Sequence, residues 1–139
     1  MLLADSTSWI WSNRKAYPAL REWFDERLAA GDIATCDQVR LELLEGVHSS
    51  QHAQRARDLE ALDTCPIAER EWRRAMEVQA QLAELKTDYH KGIRPADLLI
   101  AAAAEAAGVD LLHYDSHFER IQEVTSQPMR WLAPRGSLR

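Results

Sequence analysis

The hydrophobic positions of this chain fall into short runs, each closed by a polar turn and followed by a stretch with helical spacing. Leu2, Leu3 and Ala4 make a strand-like run ended by Asp5 and the turn Ser6-Thr7-Ser8. Trp9, Ile10 and Trp11 follow and predict a short helix that Ser6 or Thr7 would cap. Pro18 opens a stronger helix over 19–30, with Leu20, Trp23, Phe24 and Leu28 on one face, and Gly31 ends it. Residues 32–36 form a second β-compatible run, around Ile33, that leads into Asp37. A helix over 39–46 then repeats Val39, Leu43 and Val47 at every fourth residue. Residues 50–63 are a polar helix anchored by Leu59 and Leu62, and residues 65–68 read as a short extended segment around Pro66. A long amphipathic helix over 69–85 carries Trp72, Met76, Gln79, Leu82 and Leu85 at its period.

The stretch from Arg94 to Phe118 organises the rest. Pro95 suits a first helical turn, because its missing N–H would go unpaired there and its φ is already helical, so Asp97 sits in that turn. Leu and Ala dominate the helix as far as Ala107, and Gly108 offers a left-handed stop. Residues 109–114 then read as a short buried strand with Asp115 at its carboxyl end. Ligands of open α/β sheets bind at that edge. A right-handed return from helix to strand can bring Asp97 and Asp115 together, 18 positions apart, and Asp5 closes the first strand in the same way. A short helix over 116–121 and a last strand over 129–132, bounded by Pro128 and Pro134, complete the pattern.

A length of 139 residues suits one domain covering 1–139, with no repeat, linker or low-complexity segment. The longest nearly apolar run, 98–112, is interrupted by Glu105 and Asp110 and is too short to span a membrane. No basic leader precedes an apolar segment, so a cytoplasmic protein is expected. Cys36 and Cys65 are isolated, without a CxxC pair or zinc spacing, and read as small buried hydrophobes.

The formal charge of −5 opposes a nucleic-acid partner unless the acids are locally neutralised. Basic residues do cluster: Arg14, Lys15 and Arg21 early in the chain, and Arg130, Arg135 and Arg139 in the tail. The loop over 87–94 holds Tyr89, His90, Lys91 and Arg94 directly before Asp97, where Lys91 and Arg94 could meet a phosphodiester. Glu42 borders the apolar face of its helix, a costly position for a carboxylate unless a donor or cation meets it, whereas Glu45 lies elsewhere on the wheel.

Four segments together resemble the PIN-domain family, and more closely its VapC-type toxin ribonucleases. LLADSTSWI supplies Asp5, VRLELLEG supplies Glu42, RPADLLIAAAAEAAG supplies Asp97, and LLHYDSHFERI supplies Asp115. Their order and spacing fit across almost the whole chain. Ser8 stands where an apolar residue is more usual, and residues 48–85 match less well. The resemblance implies an α/β/α sandwich around a mainly parallel sheet, with the acids at its carboxyl edge and Mg²⁺- or Mn²⁺-dependent cleavage of RNA. Asp5, Asp97 and Asp115 would bind the metal, and Glu42 would complete the shell through water or orient the nucleophile. Ser6 or Thr7 would hold an acid or a phosphate oxygen. A cognate VapB-type antitoxin and a homodimer are also implied, with Trp11, Trp23 and Trp72 as possible anchors. Asp110 is an extra acid suited to strand entry.

Other classes fit less well. A phosphoryl-receiver module would need an acidic pair early and a Lys after a late strand, and no Lys follows Lys91. P-loop and dinucleotide-binding glycine patterns are absent. The main alternative is a non-catalytic PIN-like module that only binds RNA or a partner.

Overall fold

The apolar run that begins the chain becomes the middle of a sheet. In a computed structural model describing residues 1–139, β1 (Leu2–Ala4) lies between β2 (Ile33–Thr35) and β4 (Asp110–His113). β3 (Asp63–Thr64) flanks β2, and β5 (Met129–Trp131) flanks β4. Every pairing is parallel, and Leu3 stands opposite Ala34 on one side and Leu111 on the other. Parallel strands covered on both faces need continuous apolar runs rather than alternating ones. Leu2, Leu3, Ala4, Leu111 and Leu112 are accordingly all buried.

Seven helices connect these strands: α1 (Ser6–Ser12), α2 (Pro18–Ala29), α3 (Asp37–Glu45), α4 (Ser49–Glu60), α5 (Glu69–Leu85), α6 (Pro95–Ala107) and α7 (His117–Thr125). The path steps from β1 to β2 to β3 in one direction, then returns to β4 and continues to β5 in the other. Right-handed crossovers therefore set α1–α4 against one face and α5–α7 against the opposite one, giving the three-layer α/β/α sandwich. The reversal falls between β1 and β4, so the crevice beyond their carboxyl ends is the natural binding position.

One hydrophobic core of 26 residues joins these layers. In α6 the run from Leu98 to Ala104 is buried throughout, and its alanines let the helix seat closely between sheet and α5. Gly108 ends α6 at φ 69°, the left-handed conformation expected of it. Cys36 and Cys65 are free and buried, and burial pushes the Cys36 thiol up to about 11. No helix is long and apolar enough to cross a membrane.

Several elements depart from the sequence expectation. Asp5 itself caps α1 by accepting the Ser8 N–H, whereas Ser6 and Thr7 are already inside the helix. The third strand lies at Asp63–Thr64 rather than 65–68, and α4 stops at Glu60 to make room for it. Its pairing with β2 continues only as far as the Cys65 N–H, which donates to the Thr35 carbonyl at 2.7 Å. Pro66 has no N–H to extend the ladder. Helix α7 runs on to Thr125, past the expected end at Ile121.

Along α5 the buried stripe is Glu71, Ala75, Val78 and Leu82, while Trp72, Met76 and Leu85 are exposed. Glu71 is accommodated inside because its carboxylate accepts the Ala68 N–H at the start of the helix and meets Arg70 at 3.4 Å. Trp11 packs edge-on against Tyr17 and Tyr114, and Trp23 lies beneath Arg27 and Arg130, which leaves Trp72 the most exposed of the three expected anchors.

Candidate active site

The end of β1 is bound to the end of β4 through Asp5. Its carboxylate accepts the Ser8 N–H at 2.9 Å and lies 2.8 Å from the hydroxyls of Ser8 and Thr7. Thr7 Oγ1 in turn accepts the N–H of Tyr114 at 3.0 Å, and Ser8 Oγ is 2.9 Å from the Leu112 carbonyl. Ser8 thus makes a polar bridge between two strands at a fully buried position. Asp5 is itself 1% exposed, and burial raises its pKa to about 6 against the pull of these hydrogen bonds, with nearby Asp97 adding repulsion.

Asp97 projects from the first turn of α6, where Pro95 fixes the helix start. It too is buried and its pKa is raised, first by desolvation and further by Asp115 and Glu42, with Arg94 acting the other way. The Arg94 guanidinium lies 3.0 Å from Asp97 Oδ1 and 3.9 Å from Glu42 Oε2, linking the two carboxylates. Glu42 reaches this point from α3, where Val39 is buried and Glu45 exposed. Ser6 donates to Glu42 Oε2, and Gln38 Nε2 donates to its Oε1 at 3.1 Å.

Asp115 leaves β4 between two histidines. Its N–H donates to Nδ1 of His113 at 3.2 Å, so that nitrogen must carry no proton. His113 is buried against Phe118 and Trp131, and burial pushes its pKa down to about 4. The carboxylate of Asp115 accepts the N–H of His117 at 2.9 Å, and His117 Nδ1 stands 3.4 Å from the same oxygen. One donor atom from each of Asp97, Asp115 and His117 lies within 4.8 Å of the other two.

His117 was not among the residues singled out by sequence; its one signal is its place two positions after Asp115, at the start of a helix. Ser6 and Thr7 are turned to acids, to Glu42 and Asp5 respectively. Lys91 pairs with Asp88 of its own loop at 3.2 Å and forms no ion pair with the four acids. Asp110 is exposed at the first position of β4. Of the early and late basic groups, Arg14 stacks on Trp11, Arg130 lies over Trp23, and Arg135 pairs with Glu119 at 3.0 Å.

Within this cluster Asp97 and Glu42 share one cationic partner, Arg94, and desolvation raises both Asp5 and Asp97. Crowded carboxylate oxygens with so little compensating charge are the donor set of a hard divalent cation, and the residues fit such an ion.

The family model described as PIN domain matches residues 3–124. Ribonuclease VapC18 of Mycobacterium tuberculosis is 36% identical over 135 residues, spanning 96% of each chain. Ribonuclease VapC21 of the same organism is 33% identical over 129 residues, or 89% of this chain and 90% of its own. The chain belongs to the PIN-domain family, and within it to the VapC type. Solved structures repeat the fold. DNA-bound VapBC from Salmonella typhimurium superposes with a TM-score of 0.70 at 17% identity, covering 95% of this chain and 98% of the other. FitAcB from Neisseria gonorrhoeae gives 0.61 at 17% identity, with coverage of 93% and 96%.

Proposed function

We propose that this chain acts as one PIN unit: a metal-dependent endoribonuclease that serves as the toxin of a toxin–antitoxin pair. One observation carries the reading: Asp97 and Asp115, from different elements, converge at the sheet's carboxyl edge beside Asp5 and Glu42. Mg²⁺ or Mn²⁺ held by these oxygens would neutralise phosphate charge and lower the pKa of a bound water.

The protein groups then divide the work. Asp97 and Asp115 supply oxygens, and Asp5 supplies a further one from a carboxylate fixed by Thr7 and Ser8. Glu42, held by Ser6 and Gln38, orients the attacking water and can take its proton. Arg94 is half-exposed, with guanidinium donors left over for a phosphate oxygen, and exposed Lys91, three residues earlier and paired with Asp88, would exchange that partner for the RNA backbone. Hydrolysis adds water across one P–O bond, leaving a phosphomonoester on one fragment and a hydroxyl on the other.

The ribonuclease names of relatives that match this chain almost end to end favour RNA as substrate. The VapBC likeness favours a VapB-type antitoxin as partner. A homodimer and a cytoplasmic location complete the reading.

The test uses purified protein and structured RNA with Mg²⁺, Mn²⁺ or excess chelator, beside Asp97→Asn. Cleavage that needs the ion and is lost in the variant is expected. Equal cleavage in chelator, or by folded Asp97→Asn, would overturn the assignment. Sequencing RNA ends from cells that briefly express each form would then identify the target.

A further inference from the structure

We infer that His117 is a nitrogen ligand of this centre and that it tilts the site from Mg²⁺ towards Mn²⁺. The inference rests on the metal-dependent reading above and deepens it by assigning the ion.

Two histidines flank Asp115, and the structure uses them differently. His113 is buried, stacked between aromatic rings, and committed through Nδ1 to the Asp115 N–H. The ring of His117 makes no hydrogen bond within the protein, although its side chain is only 34% exposed. Its backbone N–H is fixed on Asp115 Oδ1 at 2.9 Å, which holds the first turn of α7 against the acids. The ring nitrogen stands 3.4 Å from that oxygen, within ion-pair distance when the ring is protonated, but makes no hydrogen bond to it.

The spacing suits a shared ion. Two ligands each about 2.1 Å from one cation are roughly 3 Å apart when adjacent and about 4.2 Å apart when opposite. One donor atom of Asp97, one of Asp115 and one ring nitrogen of His117 already lie within 4.8 Å of one another, so small side-chain rotations would bring all three onto one ion.

The donor chemistry then selects the ion. Mg²⁺ is bound almost entirely by oxygen and parts with its water reluctantly. Imidazole suits transition ions, whereas carboxylate suits Mg²⁺ and Mn²⁺ alike. Between these two ions, a set rich in carboxylate with one imidazole therefore favours Mn²⁺, the one that tolerates a nitrogen donor. Zn²⁺ and Ni²⁺ would also bind, since affinity at such sites rises along the first transition row.

The experiment loads Mn²⁺ onto the metal-free protein and records pulsed electron paramagnetic resonance, with calorimetric titrations of Mn²⁺ and Mg²⁺ alongside. Wild type should show nitrogen modulation from a coordinated imidazole. His117→Ala should lose the modulation and bind Mn²⁺ about tenfold or more weakly. Its Mg²⁺ affinity should change by less than about threefold, since the oxygen donors that Mg²⁺ prefers remain. His117→Asp, which returns an oxygen donor, should recover Mn²⁺ binding without the modulation. Bound Mn²⁺ with no nitrogen modulation in wild type would overturn the ligand assignment and leave the carboxylate centre standing. An equal loss of both ions in His117→Ala would do the same, making His117 a prop for Asp115. No saturable Mn²⁺ binding by wild type would overturn both readings.

Discussion

The hydroxyl of Ser6 donates to Glu42, fastening the first turn of α1 to α3 across 36 positions of sequence. Glu42 is only 17% exposed and is met by three groups, Ser6, Gln38 at 3.1 Å and Arg94, the most distant, at 3.9 Å. Ser6→Ala should therefore leave a partly buried carboxylate underbonded. Loss of a charge-assisted hydrogen bond predicts a stability cost of about 1–3 kcal/mol, together with slower RNA cleavage. Ser6→Thr, which keeps the hydroxyl, should recover most of both. Thermal denaturation and single-turnover cleavage of the two variants check this, and an unchanged melting temperature in Ser6→Ala would refute it.

Asp5 predicts a pH dependence of stability in the metal-free protein. Its folded pKa of about 6 lies above the ordinary 3.8, so between these values the folded chain keeps a proton that the unfolded chain has released. The stability this proton confers is full below about pH 3.8 and lost as pH rises through 6. Above that the buried charge costs on the order of 2–3 kcal/mol. Asp5→Asn caps α1 equally well and carries no charge. In chelator at about pH 7.5 it should melt ~5–10 °C above wild type, with the gap closing towards pH 4. Saturating Mn²⁺ should reverse the order, because the ion stabilises only the form that binds it. Identical melting curves in chelator would contradict the burial argument.

The positions of Asp5, Asp97 and Asp115 were legible because each follows a local boundary signal. Asp5 and Asp115 close apolar runs, and Asp97 follows Pro95 into a helix start. Glu42 was legible from the period of α3, which places it beside buried Val39. β3 was not, because both of its residues are exposed and carry no burial pattern. The stripe of α5 was misplaced because the residues facing α6 include Ala75 and capped Glu71, whereas Trp72 and Met76 stay outside. His117 carried no periodic or capping signal, and its relation to Asp97 exists only once α6 packs against β4 and α7.

His113 should remain neutral across the working pH range of the protein. Burial lowers its pKa from 6.5 to about 4, and a proton on Nδ1 would oppose the Asp115 N–H that points at it. Its stability contribution is present above about 6.5 and is lost as pH falls towards 4, the opposite sign to Asp5. Ring resonances followed by NMR during an acid titration should leave His113 unshifted until well below pH 6. A midpoint near 6.5 in the folded, metal-free chain would show that Nδ1 is not held as an acceptor.

Arg94 is the sole side chain that hydrogen-bonds the Asp97 carboxylate, through Nε and Nη2, and it also reaches Glu42. The guanidinium lowers the Asp97 pKa against a larger rise from burial. Removing it in Arg94→Ala should push that carboxyl up further, so that protons compete with a divalent ion at higher pH. The acid limb of the cleavage profile should then move upwards, and the ion concentration needed for half-activity near pH 6 should increase. Arg94→Lys keeps the charge but not the paired donors, and should fall between the two. If Arg94 acted only on the phosphate, RNA affinity would drop while the acid limb stayed in place. A pH–rate series at several Mn²⁺ concentrations on all three proteins separates the two roles.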